Sequence, residues 1–347
     1  MTHDDPVSTA SRRPRQAPVP RARVLRRVGV ALVLVALLAA GCSSDAGTKS
    51  ATSTTVASKP VPLLPLQPTG GGYSATQPLA LHKGAVTESG NTIVTHITYA
   101  SPHDVRVPAL IMQPRIARNP HPCVIVQHGL GGSKSDAEAV FGALSLAGMG
   151  GIAIDARLHG ERGNSTERTT AAAHPRQFAE MLQGTIVDLR RAADVLVDQS
   201  QCDPKRISFI GLSLGAFLGI PFSAIDSRVQ SPAFVGGGGS WIPVLQATSL
   251  SIAEPYRHGS AAFLQRAHRE LDPFDPARWI YKIAPRPVML VHGEQDDVVV
   301  PATARDLQDA ALQPDETYWY NGGHVPEGAN LVKVIGVLTT WFVGHLR

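Results

Sequence analysis

From residue 92 onward, short apolar runs alternate with longer amphipathic stretches, and glycines punctuate the joints. Thr92 to Tyr99 alternates as a half-buried strand does, Val105 to Gln113 repeats the pattern, and Ser101-Pro-His-Asp104 supplies the turn of an antiparallel hairpin. Cys123 to Gln127 is continuously apolar up to its last residue, which is the signature of a parallel strand covered on both faces. A helix beginning near Ser133 and ending at Gly148, a strand Gly151 to Asp155 and a helix Gln177 to Asp198 follow. The run from Arg206 to Leu212 is the next strand, and a helical segment begins immediately after Ser213. A short strand within Pro232 to Ser240, a strand ending at Gly293, a helix Ala302 to Leu312, a strand Thr317 to Tyr320 and a helix Ala329 to Leu346 complete the alternation. Such a succession predicts the α/β class: a doubly wound, mostly parallel sheet with an antiparallel hairpin at its start. Trp241 to Asp275, which carries Trp241, Pro243, Tyr256, Phe263 and Phe274, breaks the rhythm and is expected to be a small cap insertion that lines an apolar acyl or alcohol pocket, the alternative being a surface excursion packed by its own aromatics.

The first 72 residues follow another logic. Seven arginines face two aspartates within residues 1 to 27, a local +5 against +4 for the whole chain, so the rest of the protein is close to neutral. The basic balance therefore belongs to a leader, and no nucleic-acid partner is expected. Arginines, the apolar run Val28 to Ala40 and then small residues read as a secretory signal. Leu38-Ala-Ala-Gly41-Cys42 resembles a bacterial lipobox, with Ala39 where Leu is usual, and implies lipidation of Cys42 and attachment to the outer side of the cell membrane. Arg26-Arg27 leaves twin-arginine export as an option. Residues 43 to 78 are rich in Ser, Thr and Pro and read as a tether, which leaves 79 to 347 as the folded domain. With 43% hydrophobic and 17% charged residues, the chain has the composition of a globular enzyme.

Candidate chemistry lies at the ends of the strands. In Gly211-Leu-Ser213-Leu-Gly215 a strand turns directly into a helix, and glycines stand two residues to either side of the serine. Larger side chains there would collide across so tight a turn. The alternative is a glycine-flanked serine with no chemical role. His128-Gly-Leu-Gly-Gly132 ends the preceding strand with unencumbered backbone N–H groups, as an oxyanion site opposite Ser213 requires, whereas a phosphate cradle would need the glycine bracket that Lys134 lacks. Two carboxylates, Asp296 and Asp297, follow the strand that ends at Gly293, and His324 follows the next. A serine hydroxyl needs a histidine to take its proton, and the histidine needs a carboxylate to hold its tautomer. His159, with Arg157 and Glu161, is read as shaping the loop after Asp155. His258 and His268 are expected to face solvent. Cys123 and Cys202 are either bridged or two buried thiols, and Cys202 is expected to lie several residues outside its strand.

These motifs, together with Asp155, His159-Gly-Glu-Arg162, His292-Gly-Glu-Gln-Asp296 and Gly322-Gly-His324, resemble the α/β-hydrolase superfamily, and within it the dienelactone-hydrolase-like and prolyl-oligopeptidase-like esterases. The resemblance spans about residues 90 to 345. It implies that Ser213 is the nucleophile, His324 the base, and the N–H groups of Leu130 and Leu214 the oxyanion hole. Counting forward from Gly293 favours Asp296 as the acid, and counting back from Pro301 favours Asp297; the first count is preferred. Dienelactone hydrolases use cysteine at the position of Ser213, so the implied activity is hydrolysis of small-molecule carboxylic esters. No metal or organic cofactor is called for. A peptidase or acyltransferase on the same triad, or a silent surface-tethered binding protein, are the alternatives.

Overall fold

The computed structural model describes residue 66 and residues 72–102, 105–199, 201–312 and 315–347. The leader, the lipobox-like Cys42 and most of the tether lie outside the described residues. Among those described, no helix is long and apolar enough to cross a membrane.

In chain order the elements are β1 (His82–Ser89), β2 (Thr92–Ser101), β3 (Val105–Pro114), β4 (His121–Gln127), α1 (Glu138–Leu146), β5 (Gly150–Ile154), α2 (Ser165–Ala172), α3 (Pro175–Gln199), β6 (Cys202–Leu212), α4 (Leu214–Ile225) and β7 (Ala233–Val235). There follow α5 (Trp241–Ala247), α6 (Glu254–His258), α7 (Ala261–Leu271), β8 (Val288–Gly293), α8 (Pro301–Ala310), β9 (Asp315–Tyr320) and α9 (Gly328–His345). They form one sheet of nine strands in the order β1-β2-β3-β5-β4-β6-β7-β8-β9. Strands β1 to β3 are antiparallel to one another, β3 is antiparallel to β5, and β5 through β9 run parallel.

The period of two along the central strands decides which core each residue joins. Cys123 and Ile125 of β4 pack on the side of α3 and α4, and Val124 and Val126 on the side of α1 and α9. Each face thus supplies its own helical layer, which explains why β4 reads as an unbroken apolar run. Strand β5 lies on one side of β4 and β6 on the other, so the winding reverses at β4. Open α/β sheets bind ligands at such a reversal, beyond the carboxyl ends of the strands.

Three features depart from the sequence reading. Strand β1 was not foreseen; all eight of its residues are exposed, so no apolar alternation marks it, and pairing with β2 is what defines it. Cys202 is the first residue of β6, and a shift in register lets His121 pair with Cys202 while Cys123 pairs with Ile207. That slip brings the cysteines together: Cys123 and Cys202 are joined as a disulfide, with Cα atoms 5.6 Å apart. Finally, the residues just before position 79, assigned to the tether, are bonded into the domain. The Tyr73 hydroxyl donates to Asp194 at 2.7 Å, the Arg190 guanidinium lies 3.5 Å from the centre of the Tyr73 ring, and Arg191 donates to the Ser74 and Gln77 carbonyls.

Candidate active site

The turn at Ser213 is as tight as its glycines require. Ser213 has φ +53°, a left-handed value that a non-glycine residue rarely adopts. A Cβ on Gly211 would overlap the Gly215 carbonyl, and one on Gly215 would overlap the Gln127 carbonyl. The Ser213 N–H donates to the Val235 carbonyl at 2.8 Å, which ties the turn to β7. Held in this way, Ser213 Oγ projects beyond the sheet and stands 2.7 Å from His324 Nε2.

His324 follows β9, and its other ring nitrogen, Nδ1, lies 2.7 Å from Asp296 Oδ2. Asp296 is 4% exposed, and its second oxygen accepts the backbone N–H groups of Val298 and Val299 at 2.9 and 2.8 Å. With both oxygens engaged, the carboxylate is fixed in direction. Asp297 is exposed; its carbonyl accepts from Ser249 N–H, and its side chain does not reach His324. The structure therefore brings together Ser213, His324 and Asp296 and leaves Asp297 apart. Gly236, with φ +66°, packs under the imidazole: a Cβ there would stand 3.0 Å from His324 Cε1.

Across from this trio lies the turn after β4. A Cβ on Gly129 would be 3.2 Å from Ser213 Cβ, so the Gly129-Leu130 peptide abuts the serine. No bond within the described residues occupies the N–H of Leu130 or of Leu214, the first residue of α4. His128 anchors the turn. Its Nδ1 pairs with the Gly129 carbonyl at 2.7 Å and its Nε2 accepts from Ala156 N–H at 3.1 Å. Burial lowers the basicity of His128, and the neutral ring this favours suits one donor and one acceptor nitrogen.

The loop after β5 is braced by buried ion pairs. Asp155 accepts from the Lys134 backbone N–H and from Lys134 Nζ, both at 2.8 Å, and Lys134 reaches on to Glu161 at 2.5 Å. Asp188, on α3, is wholly buried and accepts from Arg157, Arg162 and Ser101; the two guanidinium groups hold its carboxyl below the usual range despite the burial. His159 is fully buried, with Nδ1 on the Arg157 carbonyl at 2.8 Å, and burial pushes its pKa down to about 4. Its ring also lines the cavity above Ser213.

That cavity, of about 70 Å³, is walled by Leu158, Ala171, Phe178, Met181, Phe217 and Trp241, among others, and opens on Ser213. The insertion lines it, as expected for a cap, through Trp241, Val244, Leu245, Leu250 and Ile252 among others; Pro243, Tyr256, Phe263 and Phe274 are not among the lining residues, and another wall comes from the loop after β5 and from α2. Tyr256 and Phe274 are buried within the insertion, and His258 and His268 face solvent. Helix α2 was missed because Ser165 to Thr170 carries no apolar spacing. Its one local signal is Asn164-x-x-Glu167, a reciprocal capping box that the structure contains.

Comparison with known proteins agrees with this architecture. Residues 82–235 match the family model described as acetyl xylan esterase (AXE1), a span that includes the turn after β4 and the Ser213 turn. The chain is 26% identical over 196 residues to Esterase YjfP of Escherichia coli (strain K12), covering 55% of this chain and 75% of the relative. Acetyl xylan esterase 1 from Thermoanaerobacterium sp. JW/SL YS485 superposes with a TM-score of 0.63 at 15% identity, over 76% of this chain and 88% of that one. The acetyl xylan esterase from Paenibacillus sp. R4 gives a TM-score of 0.65 at 18% identity, over 78% and 90%.

Proposed function

We propose that this carboxylic ester hydrolase of the α/β-hydrolase superfamily cleaves short-chain, above all acetyl, esters by a Ser213-His324-Asp296 acyl-enzyme mechanism. The observation that carries the reading is the continuous chain of two 2.7 Å contacts from Ser213 Oγ through the imidazole to Asp296. His324 Nδ1–H donates to Asp296, so Nε2 presents its lone pair to the serine hydroxyl and takes its proton as Oγ attacks the ester carbonyl. The imidazolium so formed is stabilised by the Asp296 carboxylate. Negative charge on the former carbonyl oxygen is met by the N–H groups of Leu130 and Leu214, the second at a helix N-terminus. His324 then gives its proton to the departing alcohol. Water repeats the sequence on the acyl-enzyme, which releases the acid and restores Ser213.

The acetyl preference rests on room. A water takes about 10–15 Å³ of such space, so the cavity accommodates about five to seven non-hydrogen atoms, enough for a short acyl group. The names of the similar esterases point the same way. From the sequence of the leader, the enzyme is exported and held at the membrane through lipid on Cys42.

Hydrolysis of p-nitrophenyl esters from acetyl to octanoyl, by wild type and Ser213→Ala, tests the reading. The expected profile falls steeply beyond butanoyl, and the variant loses about 10³-fold or more in kcat. A folded wild-type protein inert toward the whole series would overturn it.

A further inference from the structure

Arg168 stands in the first turns of α2 and lines the cavity above Ser213. Its Nη1 donates to the Leu158 carbonyl at 3.1 Å, which fixes the guanidinium. Its Nη2 comes within 3.9 Å of where a Cβ on Gly131 would stand, beside the turn that bears Leu130. The neighbouring carboxylates are engaged elsewhere: Glu167 with Asn164 N–H, Asp136 with Ser133 N–H, Glu161 with Lys134. Among the described residues no carboxylate pairs with Arg168.

The surroundings sharpen the point. The other lining residues are apolar except Ser213, Thr248 and His159, and burial keeps His159 neutral near pH 7. Among the described residues, Arg168 is thus the only charged side chain on the wall of the cavity. Arg157, Arg162, Arg191 and Arg228 each meet a carboxylate, and Arg257 and Arg286 are each held by two or three backbone carbonyls, whereas Arg168 has the Leu158 carbonyl alone among the bonds of the described residues. A half-desolvated guanidinium without a counter-ion is unfavourable, and a carboxylate answers it with charge-assisted hydrogen bonds.

Position indicates which end of a substrate it reads. Ala171, Ala172, Phe178, Met181 and Phe217 are buried, whereas Arg168 is half-buried. A buried apolar wall suits the acyl group, which assigns the more exposed Arg168 to the alcohol portion.

We propose that Arg168 is a specificity-determining residue that binds a carboxylate on the alcohol side, so that the preferred substrates are acetyl esters of hydroxy acids. This rests on the esterase reading. The chemistry of the cleavage is unchanged; the carboxylate adds binding to the ground and transition states.

The test compares 2-, 3- and 4-acetoxybenzoate with the corresponding acetoxybenzamides, which match them in shape without the charge. At least one carboxylate isomer is expected to exceed its amide about tenfold in kcat/KM. Arg168→Gln is expected to lose about tenfold on that isomer while the amide changes less than about threefold, and Arg168→Lys is expected to recover part of the loss. Amides cleaved as well as carboxylates at all three positions, or equal loss on both by Arg168→Gln, would overturn the proposal. Calorimetric titration of Ser213→Ala with the same six compounds reads recognition without turnover. Tighter binding of one carboxylate than of its amide, lost in Ser213→Ala/Arg168→Gln, supports the assignment. The absence of that difference defeats it, whereas failure of wild type to hydrolyse any of the six counts against the esterase reading alone.

Discussion

The Tyr320 hydroxyl lies within hydrogen-bonding distance of the His324 carbonyl, at 3.1 Å, and of the Gly323 carbonyl, at 2.7 Å, so the last residue of β9 clasps the backbone that presents the imidazole. Burial pushes Tyr320 up to about 12, which keeps it a donor throughout the range of an esterase assay. Tyr320→Phe removes the clasp while preserving the ring. The expected result is a kcat reduced about 3- to 10-fold with KM little changed, because His324 is less well aimed while the cavity is untouched. An unchanged kcat for p-nitrophenyl acetate would show that the loop holds itself.

Asp296 and Asp297 are adjacent in the chain but unequal in the fold. Asp296→Asn is expected to lower kcat about 10³- to 10⁴-fold, since the amide cannot hold the productive tautomer or stabilise the imidazolium. Asp297→Asn is expected to stay within about threefold of wild type. Steady-state kinetics of the two variants decides the assignment; a larger loss in Asp297→Asn would reverse it.

The disulfide joins Cys123 to Cys202 across 79 positions of chain. Closing so long a loop in the unfolded ensemble is worth about 4.5 kcal/mol in the chain-entropy account. The variant with both cysteines changed to Ser, or wild type held in excess reductant, is expected to unfold at a markedly lower urea concentration, with kcat/KM of the folded protein nearly unchanged. Coincident unfolding curves with and without reductant would show that the bridge adds nothing.

Stability against acid follows from buried histidines. Burial pushes His159 and His292 down to about 4, below the unfolded value of about 6.5. As pH falls from 6.5 toward 4, the unfolded chain takes up protons that the folded protein refuses, so stability is lost across that window, by at most about 3 kcal/mol for each ring. Asp275 works in the opposite sense. Burial raises it to about 6, so its folded form keeps a proton that the unfolded chain gives up, and its contribution grows as pH falls from 6 toward 4. Two rings outweigh one carboxyl, and the midpoint of thermal unfolding is expected to be lower at pH 4.5 than at pH 7. His292→Asn is expected to flatten that dependence; an unaltered slope would remove His292 from the account.

How far these relationships can be read from the chain depends on the range of the interaction behind them. Strands β4, β5 and β8 and the second half of β6 declare themselves because burial on both faces leaves continuous apolar runs, and the glycines around Ser213 because the turn excludes side chains. Strand β1 is exposed and patterned by nothing but its partner. The choice between Asp296 and Asp297 turns on which backbone N–H groups a carboxylate meets, and a count of residues reaches that only through the loop's starting point. Cys202 was misjudged because a register shift is a property of two strands together. Gly236 acts through a neighbour far along the chain and Arg168 through the absence of one, and local composition is silent about both.

The division of labour between sheet and wall has a consequence for how such enzymes diversify. Ser213, Asp296 and His324 sit on the ends of strands locked by the central sheet, whereas the cavity takes its shape and charge largely from α2, α5 and the loop before α2. Substitutions in those peripheral segments can retune what is admitted without disturbing how it is cleaved. Laboratory evolution toward new esters should therefore accumulate its changes between residues 158 and 181 and between 241 and 253, and leave the strand ends as they are.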